Sequence, residues 1–229
     1  MYKIAKTINS LIDSALLLGF LLMTVIGIYM IADYTYVYTN DLVPKILPTQ
    51  SSVEEVEQSL SELSSDAVAW LVIDDTNINF PIMHCDNNSK YVNTDAYGNY
   101  SIAGAIFMDA RNHEDFLDLY SIIYGHHFAR GYMFGALDQF ENEEYFDTHR
   151  TGTLYYGGEA HQLNIFGFAI LDALDETFFD PTTTTNAMHD YIRDRVLIYR
   201  NNYGGRILAL TTCRDPGSTS RTLVFCEVL

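Results

Sequence analysis

A long apolar segment near the N-terminus constrains the chain more than any other feature. Residues 14–32 read SALLLGFLLMTVIGIYMIA, which is 19 consecutive residues without a charge. At about 1.5 Å per residue, a helix of this length crosses a hydrocarbon core of about 30 Å. The segment therefore predicts one transmembrane helix, and residues 1–33 are interpreted as a cytoplasmic stub followed by a membrane anchor.

The residues that flank this segment predict its orientation. Lys3 and Lys6 precede it and Asp33 follows it, so the positive-inside rule places the N-terminus in the cytoplasm and the rest of the chain outside. A cleaved signal peptide is the alternative, but its apolar region is about 7–15 residues long and ends at a small-x-small site. The greater length favours an uncleaved anchor and a single-pass protein of the cell membrane with an extracellular domain.

The charge of that domain excludes one class of partner. The chain has 13 Lys+Arg and 30 Asp+Glu, a net charge of −17. Residues 1–32 hold two Lys and one Asp, which leaves 11 basic and 29 acidic residues, or −18, on the remainder. Nucleic-acid binding depends on Lys and Arg that neutralise phosphates, so a nucleic-acid partner is not expected. A hydrophobic content of 48% also excludes a disordered acidic tail.

Residues 34–66 predict a connection between the membrane and the main domain. Pro44 and Pro48 indicate a stalk. The following SSVEEVEQSLSELSS fits a capping box at both Ser51-x-x-Glu54 and Ser52-x-x-Glu55. Its apolar residues share one helical stripe, which predicts an amphipathic helix packed on the domain: Val53, Val56, Leu60 and Leu63.

Residues 67–229 have the pattern of a β domain. Turn clusters separate eight short runs rich in β-branched and aromatic residues, which predict a mostly antiparallel barrel or sandwich. The runs are AWLVID, INFPIM, AGAIFM, YSIIYG, GTLYY, HQLNIFGFAIL, GRILALTTC and RTLVFCEVL. Between Phe179 and Gly205 the spacing of four residues predicts a helix inserted between two late strands: Met188, Tyr191, Ile192 and Val196.

An odd number of cysteines points to a free thiol outside the membrane. The chain has Cys85, Cys213 and Cys226, whereas disulfide-stapled exported domains have even counts at high density. Cys213 ends an apolar strand and precedes the turn sequence RDPG, where a side chain is accessible. Cys226 lies within a strand, where cysteine is usually packing.

The spacing of these residues argues against a Cys213–Cys226 disulfide. If residues 214–220 form a hairpin loop, Cys213 faces Arg221, and Cys226 lies five residues further along at about 3.3 Å each. The resulting ~16 Å exceeds the ~7 Å limit for the Cα atoms of a disulfide. Cys213 is then free beside a guanidinium, which favours the nucleophilic thiolate.

A histidine pair follows another predicted strand. His126 and His127 come directly after residues 121–124 and Gly125. Adjacent residues of an extended chain face opposite ways, so we expect at most one of them to share a site with Cys213. A metal site and purely structural histidines are the alternatives, although no Cys or carboxylate at ligand spacing lies nearby.

Histidine, cysteine and arginine at strand ends form a set suited to acyl transfer. A thiolate attacks a carbonyl, an imidazolium protonates the leaving amine, and a guanidinium donates hydrogen bonds to the substrate or the developing oxyanion. Cys213 and Arg221 are eight residues apart, and the histidine pair lies well upstream of both.

With these motifs the chain resembles a class B sortase, a membrane-anchored cysteine transpeptidase of Gram-positive bacteria. The resemblance covers about residues 67–229. Its motifs are Leu210-Thr211-Thr212-Cys213, Tyr124-Gly125-His126-His127, Arg221, NINFPI at 77–82 and AGAIFMDARN at 103–112.

The resemblance implies a fold and a set of site residues. The fold is an eight-stranded sortase-type β-barrel with N-terminal helices and a helix inserted before the cysteine strand. Cys213 would be the nucleophile, His126, the residue directly after Gly125, the general acid/base, and Arg221 the substrate-orienting and oxyanion-stabilising group. By the same matching, Asn88 and Thr211 would contact the sorting-signal peptide.

The implied reaction is a two-step transpeptidation. The enzyme would cleave the C-terminal sorting signal of a surface protein through a thioacyl intermediate and transfer the acyl group to an amine of a cell-wall precursor. The alternatives are a class B pilus polymerase that uses a pilin lysine, a hydrolytic cysteine protease and a catalytically silent binding module. No metal or organic cofactor is required, and the acidity would serve solubility or the attraction of amine-bearing acceptors.

Overall fold

The computed structural model describes residues 2–36, 52–128, 131–182, 185–200, 203–214 and 217–229. The chain divides into two compact units, Met1–Val43 and Pro44–Leu229. The helices are α1 (Tyr2–Tyr36), α2 (Val53–Ser61), α3 (Glu143–Thr148) and α4 (Thr185–Arg195). The strands are β1 (Ala67–Ile73), β2 (Asn79–Met83), β3 (Ile106–Met108), β4 (Tyr120–Tyr124), β5 (His127–Phe128), β6 (Tyr132–Met133), β7 (Thr151–Tyr156), β8 (Glu159–Asp172), β9 (Ile198–Tyr199), β10 (Arg206–Cys213) and β11 (Ser220–Val228).

The described part of the first unit is the helix α1, which contains the predicted anchor segment. Its stretch Leu11–Asp33 is 23 residues long with a mean hydropathy of 2.5 and is long and apolar enough to cross a membrane. Large apolar side chains such as Leu18 and Met23 are exposed along it, as expected for a helix that packs against lipid. The predicted stalk with Pro44 and Pro48 lies outside the described residues.

The amphipathic helix of the second unit is confirmed as α2. Ser52 caps it: its hydroxyl accepts from the Glu55 amide at 3.3 Å, and the Glu55 carboxylate accepts from the Ser52 amide at 2.9 Å. The other predicted capping box includes Ser51, which lies outside the described residues. The apolar stripe packs on β1 and β7 in one cluster, which contains Val53, Val56, Leu60, Leu63, Trp70, Val72 and Tyr155.

Eight strands form a closed barrel. They are paired in the order β11-β10-β4-β3-β2-β1-β7-β8, and β8 pairs with β11 to complete the ring. The short strand β9 adds to the outside edge of β8. Each of the eight apolar runs in the sequence supplies one barrel strand, so the predicted eight-stranded barrel is confirmed. The predicted boundaries at residues 34 and 67 stay predictions.

Two strand pairs in the barrel are parallel, which qualifies the expectation of a mostly antiparallel sheet. They are β2 with β3 and β4 with β10. The second pair matters for the site, because parallel neighbours begin and end at the same edge of a sheet. The end of β4 therefore lies beside the end of β10.

The inserted helix is also confirmed. Helix α4 buries Met188 and Ile192 completely, and they pack against Ala209 of β10 and against Leu223 and Phe225 of β11. Residues two apart in a strand share a face, so α4 covers the face of these strands on which Cys213 and Arg221 also lie.

Candidate active site

Cys213 and Arg221 are brought together by the β10–β11 hairpin. The two residues are direct cross-strand partners, as the sequence predicted, and paired side chains lie on the same face of a sheet. Cys213 is an exposed free thiol. The half-buried Arg221 donates from Nη1 to the Ser218 and Ser220 carbonyls at 3.2 and 3.1 Å. The neighbouring Arg214 instead donates to a carboxylate oxygen of Glu141 at 2.7 Å, so Arg221 is the guanidinium on the cysteine's face.

His126 follows β4 at the edge where β10 ends in Cys213. In the parallel pair, Tyr124 is the partner of Thr211. The Gly125 amide donates to the Thr211 carbonyl at 3.1 Å, which extends the pairing one step beyond β4. His126 is two residues beyond Tyr124, and Cys213 is two residues beyond Thr211. The three candidate catalytic residues therefore lie at the ends of three adjacent strands.

A backbone carbonyl orients the His126 ring. Its Nε2 lies 2.8 Å from the Val92 carbonyl oxygen. A carbonyl only accepts hydrogen bonds, so Nε2 carries a proton, and in the neutral ring Nδ1 is the nitrogen free to take one. The edge of the ring also contacts Phe128, with ring centroids 5.9 Å apart. An oriented imidazole whose second nitrogen is available has the form that a general acid/base requires.

His127 is directed to a different partner. Its Nε2 lies 2.7 Å from the Asp138 carboxylate, and the partner of His126 is the Val92 carbonyl on another segment. The two histidine rings therefore have different hydrogen-bond partners, and the expectation that at most one of them shares a site with Cys213 stays a prediction. Among the described residues, no group of three or more His, Cys, Asp or Glu side chains is arranged to hold a metal ion.

The two residues expected to contact the peptide have different environments. Asn88 is exposed, and its amide donates to Asp109 at 3.1 Å while its carbonyl accepts from the Ala110 amide at 2.7 Å. Thr211 is only 1% exposed, and its hydroxyl has no hydrogen-bond partner among the described residues. Asn88 can therefore meet a ligand at the surface, whereas this arrangement encloses the Thr211 side chain.

The buried carboxylate of Asp109 links Asn88 to Tyr124, the last residue of β4. Asp109 accepts hydrogen bonds from Arg111 Nε and Nη2, each at 2.8 Å, and from the Tyr124 hydroxyl at 2.9 Å. Burial alone would raise the pKa of Asp109, but these bonds outweigh it and hold the pKa below its usual value. Burial and the nearby carboxylate raise the pKa of Tyr124, so its hydroxyl remains a donor.

Three residues around the site were not predicted from the sequence. Val92 acts through a backbone carbonyl, which no residue type reveals. Asp109 lies in the segment AGAIFMDARN, which supported the resemblance without suggesting a role for this residue. Asp138 carries no motif, although an acidic residue following a histidine pair within about a dozen positions was a usable signal for a carboxylate partner.

Comparison with known proteins shows the family of this chain. A model of the sortase domain matches residues 71–229. The chain belongs to the sortase family. Sortase B of Listeria monocytogenes is 30% identical over 189 residues, which cover 79% of this chain and 75% of that protein. Sortases are cysteine transpeptidases.

Solved structures place this sortase in class B. A Streptococcus pyogenes class B sortase involved in pilus biogenesis has a TM-score of 0.69 and 32% identity, covering 76% of this chain and 97% of its own. Sortase B from the type II pilus of Streptococcus pneumoniae has a TM-score of 0.64 and 30% identity, covering 78% and 98%. This sortase is thus similar to class B enzymes in both fold and sequence.

Proposed function

We propose that this sortase cleaves the C-terminal sorting signal of surface proteins and joins the new C-terminus to an amine of a cell-wall precursor. The observation that carries the proposal is the exposed thiol of Cys213, paired across the hairpin with Arg221 at the edge where His126 follows β4. Family membership supplies the reaction class, and this geometry supports one role for each of the three side chains.

The first half-reaction forms a thioacyl-enzyme. The Cys213 thiolate attacks the Thr carbonyl carbon of the sorting signal, and the Arg221 guanidinium donates a hydrogen bond to the developing oxyanion. As the C–S bond forms and the C–N bond breaks, the His126 imidazolium gives its proton to the leaving amine. Asn88 is proposed to contact the peptide at the rim of the site. For Thr211, enclosed as it is, a peptide contact would require a movement of the residues around it.

The second half-reaction restores the enzyme. An acceptor amine attacks the thioester carbonyl, and neutral His126 takes a proton from the attacking nitrogen. The new amide C–N bond forms while the C–S bond breaks and the thiolate returns. One amide is exchanged for another, so the overall reaction needs no external energy source.

We also propose that the enzyme works outside the cell, held in the membrane by α1 with its N-terminus in the cytoplasm. Lys3 and Lys6 before the apolar stretch and Asp33 at its end support an N-terminus in the cytoplasm. Residues beyond the anchor would then reach both surface proteins and amine acceptors.

Pilus polymerisation is the second candidate function. Two of the structures similar to this chain at 30% identity or more come from pilus systems of streptococci. In that case the acceptor would be a lysine amine of a pilin subunit instead of a cell-wall amine. The chemistry at Cys213 is the same for both acceptors, so acceptor choice separates the two functions.

Peptide ligation tests the proposal. Wild-type enzyme is given peptides with sorting signals from surface proteins of the same organism, together with either a cell-wall-type peptide amine or a pilin lysine peptide. We expect a ligated product with one of these amines, no thioacyl-enzyme in Cys213→Ala, and retained activity in Cys226→Ala. Hydrolysis alone at every amine concentration would indicate a protease, and equal activity of the two cysteine variants would remove Cys213 from the mechanism.

A further inference from the structure

A second set of polar residues lies behind the candidate catalytic residues. Thr222 follows Arg221 in β11 and pairs with Thr212 of β10, which precedes Cys213. Because neighbouring residues of a strand face opposite ways, both threonines point away from the catalytic face. Both are buried, with exposures of 0% for Thr222 and 2% for Thr212. Within the part of the chain that the structure describes, one of the two hydroxyls has a hydrogen-bond partner and the other has none.

Thr222 and His127 share the carboxylate of Asp138. The Thr222 hydroxyl donates to Oδ1 at 2.7 Å, and His127 Nε2 lies 2.7 Å from Oδ2. An ionised carboxylate only accepts hydrogen bonds, so both neighbours are donors and the His127 proton is on Nε2. In contrast, the Thr212 hydroxyl has no hydrogen-bond partner among the described residues.

This chain of hydrogen bonds joins the segments that carry two catalytic candidates. Asp138 lies in the 3₁₀ helix Phe134–Glu141, most of whose side chains are buried. The Phe134 amide at the start of this helix donates to the His126 carbonyl at 3.2 Å. The helix therefore holds the His126 backbone at one end and, through Asp138, the β11 residue next to Arg221.

We propose that His127, Asp138 and Thr222 are positioning residues that set the place of His126 relative to Arg221. This inference rests on the proposed function, because it assumes that His126 and Arg221 act on one substrate. Outside β4, the histidine segment is held by β5 and β6, which are only two residues each. A displacement of about 1 Å at a reacting group can cost about a hundredfold in rate, so a short segment of this kind needs an additional anchor.

The three side chains act through structure and do not take part in proton transfer. The His127 ring is bound to Asp138, and the Thr222 side chain lies on the face opposite Cys213. The side chains of His127 and Asp138 are 25% and 36% exposed, and a hydrogen-bonded pair this accessible to solvent contributes little to stability. Variants that break the chain are therefore expected to fold, which makes turnover a usable measurement.

Paired substitutions test the proposal with shape held nearly constant. Thr222→Val and His127→Phe remove a hydrogen bond, whereas Thr222→Ser and His127→Gln retain a donor. We expect kcat for ligation to fall about tenfold in Thr222→Val and His127→Phe, with KM for the sorting peptide unchanged. For Thr222→Ser and His127→Gln, kcat should stay within about threefold of wild type. The double variant Thr222→Val/His127→Phe should have the kcat of either single variant, because each single substitution already breaks the same chain of hydrogen bonds.

Thr212→Val is the matched control. It removes a buried hydroxyl on the same face that has no hydrogen-bond partner among the described residues, so kcat should not change. Wild-type kcat in Thr222→Val would overturn the proposal. Equal losses in Thr222→Val and Thr222→Ser that follow a fall in Tm would overturn it as well, because packing would then be the cause.

A spectroscopic measurement separates this proposal from the proposed function. The His126 ring signals, assigned with His126→Gln in ¹⁵N-histidine NMR spectra, should shift in Thr222→Val and His127→Phe but not in Thr212→Val. Unshifted signals in all three variants would overturn the positioning role even if the enzyme ligates peptides. Shifted signals in an enzyme that leaves every peptide intact would support the positioning chain while removing the proposed function.

Discussion

Cys213 and Cys226 lie in one β hairpin and have opposite chemical environments. Cys213 is exposed at the end of β10, whereas Cys226 is fully buried within β11. Burial raises the pKa of the Cys226 thiol, which keeps it protonated and unreactive. The register sets this difference, since the partner of Cys213 is Arg221 and the partner of Cys226 is Leu208. A cysteine's place in a strand therefore decides whether its thiol serves chemistry or packing.

The buried carboxylate of Asp109 gives a prediction at the same scale. Its pKa is lowered in the folded protein, whereas an unfolded Asp has a pKa of about 3.9. A depressed folded pKa contributes stability that is fully present above the unfolded pKa and is lost as the pH falls through the folded one. Asp109→Asn should therefore lower the free energy of unfolding by about 1–3 kcal/mol at neutral pH, and by less near pH 3.

Urea denaturation at neutral pH and near pH 3 measures this difference. Glu114→Gln is the control, because Glu114 is exposed in the same connection between β3 and β4 and should behave as wild type at both pH values. A stability loss in Asp109→Asn that is the same at both pH values would show that the ionised carboxylate is not its source.

At the scale of elements, Gly125 joins β4 to His126 at a point where the surrounding side chains leave no room for a Cβ atom. A Cβ added at Gly125 would lie 2.8 Å from Phe134 Cγ and would also collide with Ile106. Both side chains are buried and cannot move aside easily. Gly125→Ala should destabilise the fold by about 1–3 kcal/mol and lower kcat, since His126 is the next residue.

The matched control is Gly204→Ala, because a Cβ at Gly204 would meet no atom within 4 Å. Urea midpoints and ligation rates of the two variants provide the comparison. If Gly125→Ala and Gly204→Ala had the same midpoint, the close packing at the end of β4 would not constrain this position.

The strands of the barrel were predictable because each carries its own local pattern. All eight apolar runs became barrel strands, and turn residues marked the loops between them. Pairing was predictable only between strands joined by a short loop, as for Cys213 and Arg221 in the β10–β11 hairpin. The parallel pairing of β4 with β10 joins residues such as Tyr124 and Thr211 that are far apart in sequence, and no local pattern records it. The two-residue strands β5, β6 and β9 are too short to show a period.

The residues of the candidate site could be predicted where the residue type itself indicates the chemistry. Cys213, His126 and Arg221 could be selected because thiol, imidazole and guanidinium have few equivalents. Asp138 could not be selected, since its importance depends on the meeting of His127 and Thr222 from distant parts of the chain. The enclosure of Thr211 also depends on tertiary packing, which its place beside Cys213 in the sequence did not reveal.

At the scale of the whole molecule, α1 is expected to hold the enzyme in the membrane. Each Lys near the centre of a spanning helix costs about 2.5–3.5 kcal/mol on insertion scales. The full chain should remain in the membrane pellet after alkaline carbonate extraction, whereas Leu18→Lys/Leu22→Lys should move to the soluble fraction. Leu11→Lys/Thr35→Lys is the control, because Leu11 begins the Leu11–Asp33 stretch and Thr35 lies just beyond it, where a lysine can extend its charge into the headgroups. Extraction of the wild-type chain by carbonate would contradict an anchoring role.

The net charge of −17 gives the last prediction. If the acidity of the chain beyond the anchor attracts amine-bearing acceptors, the rate of the second half-reaction, transfer to the amine, depends on a long-range electric field. The first half-reaction, thioacyl formation with an uncharged peptide, does not depend on it. The Debye length falls from about 30 Å at 0.01 M salt to about 8 Å at 0.15 M. Across this range the rate of transfer to a dicationic amine should fall several-fold, and the rate of thioacyl formation should not change.

A zwitterionic acceptor is the control, because its lack of net charge removes the long-range attraction while the reacting amine is the same. Equal salt dependence of transfer for the two acceptors would show that the acidity serves solubility alone.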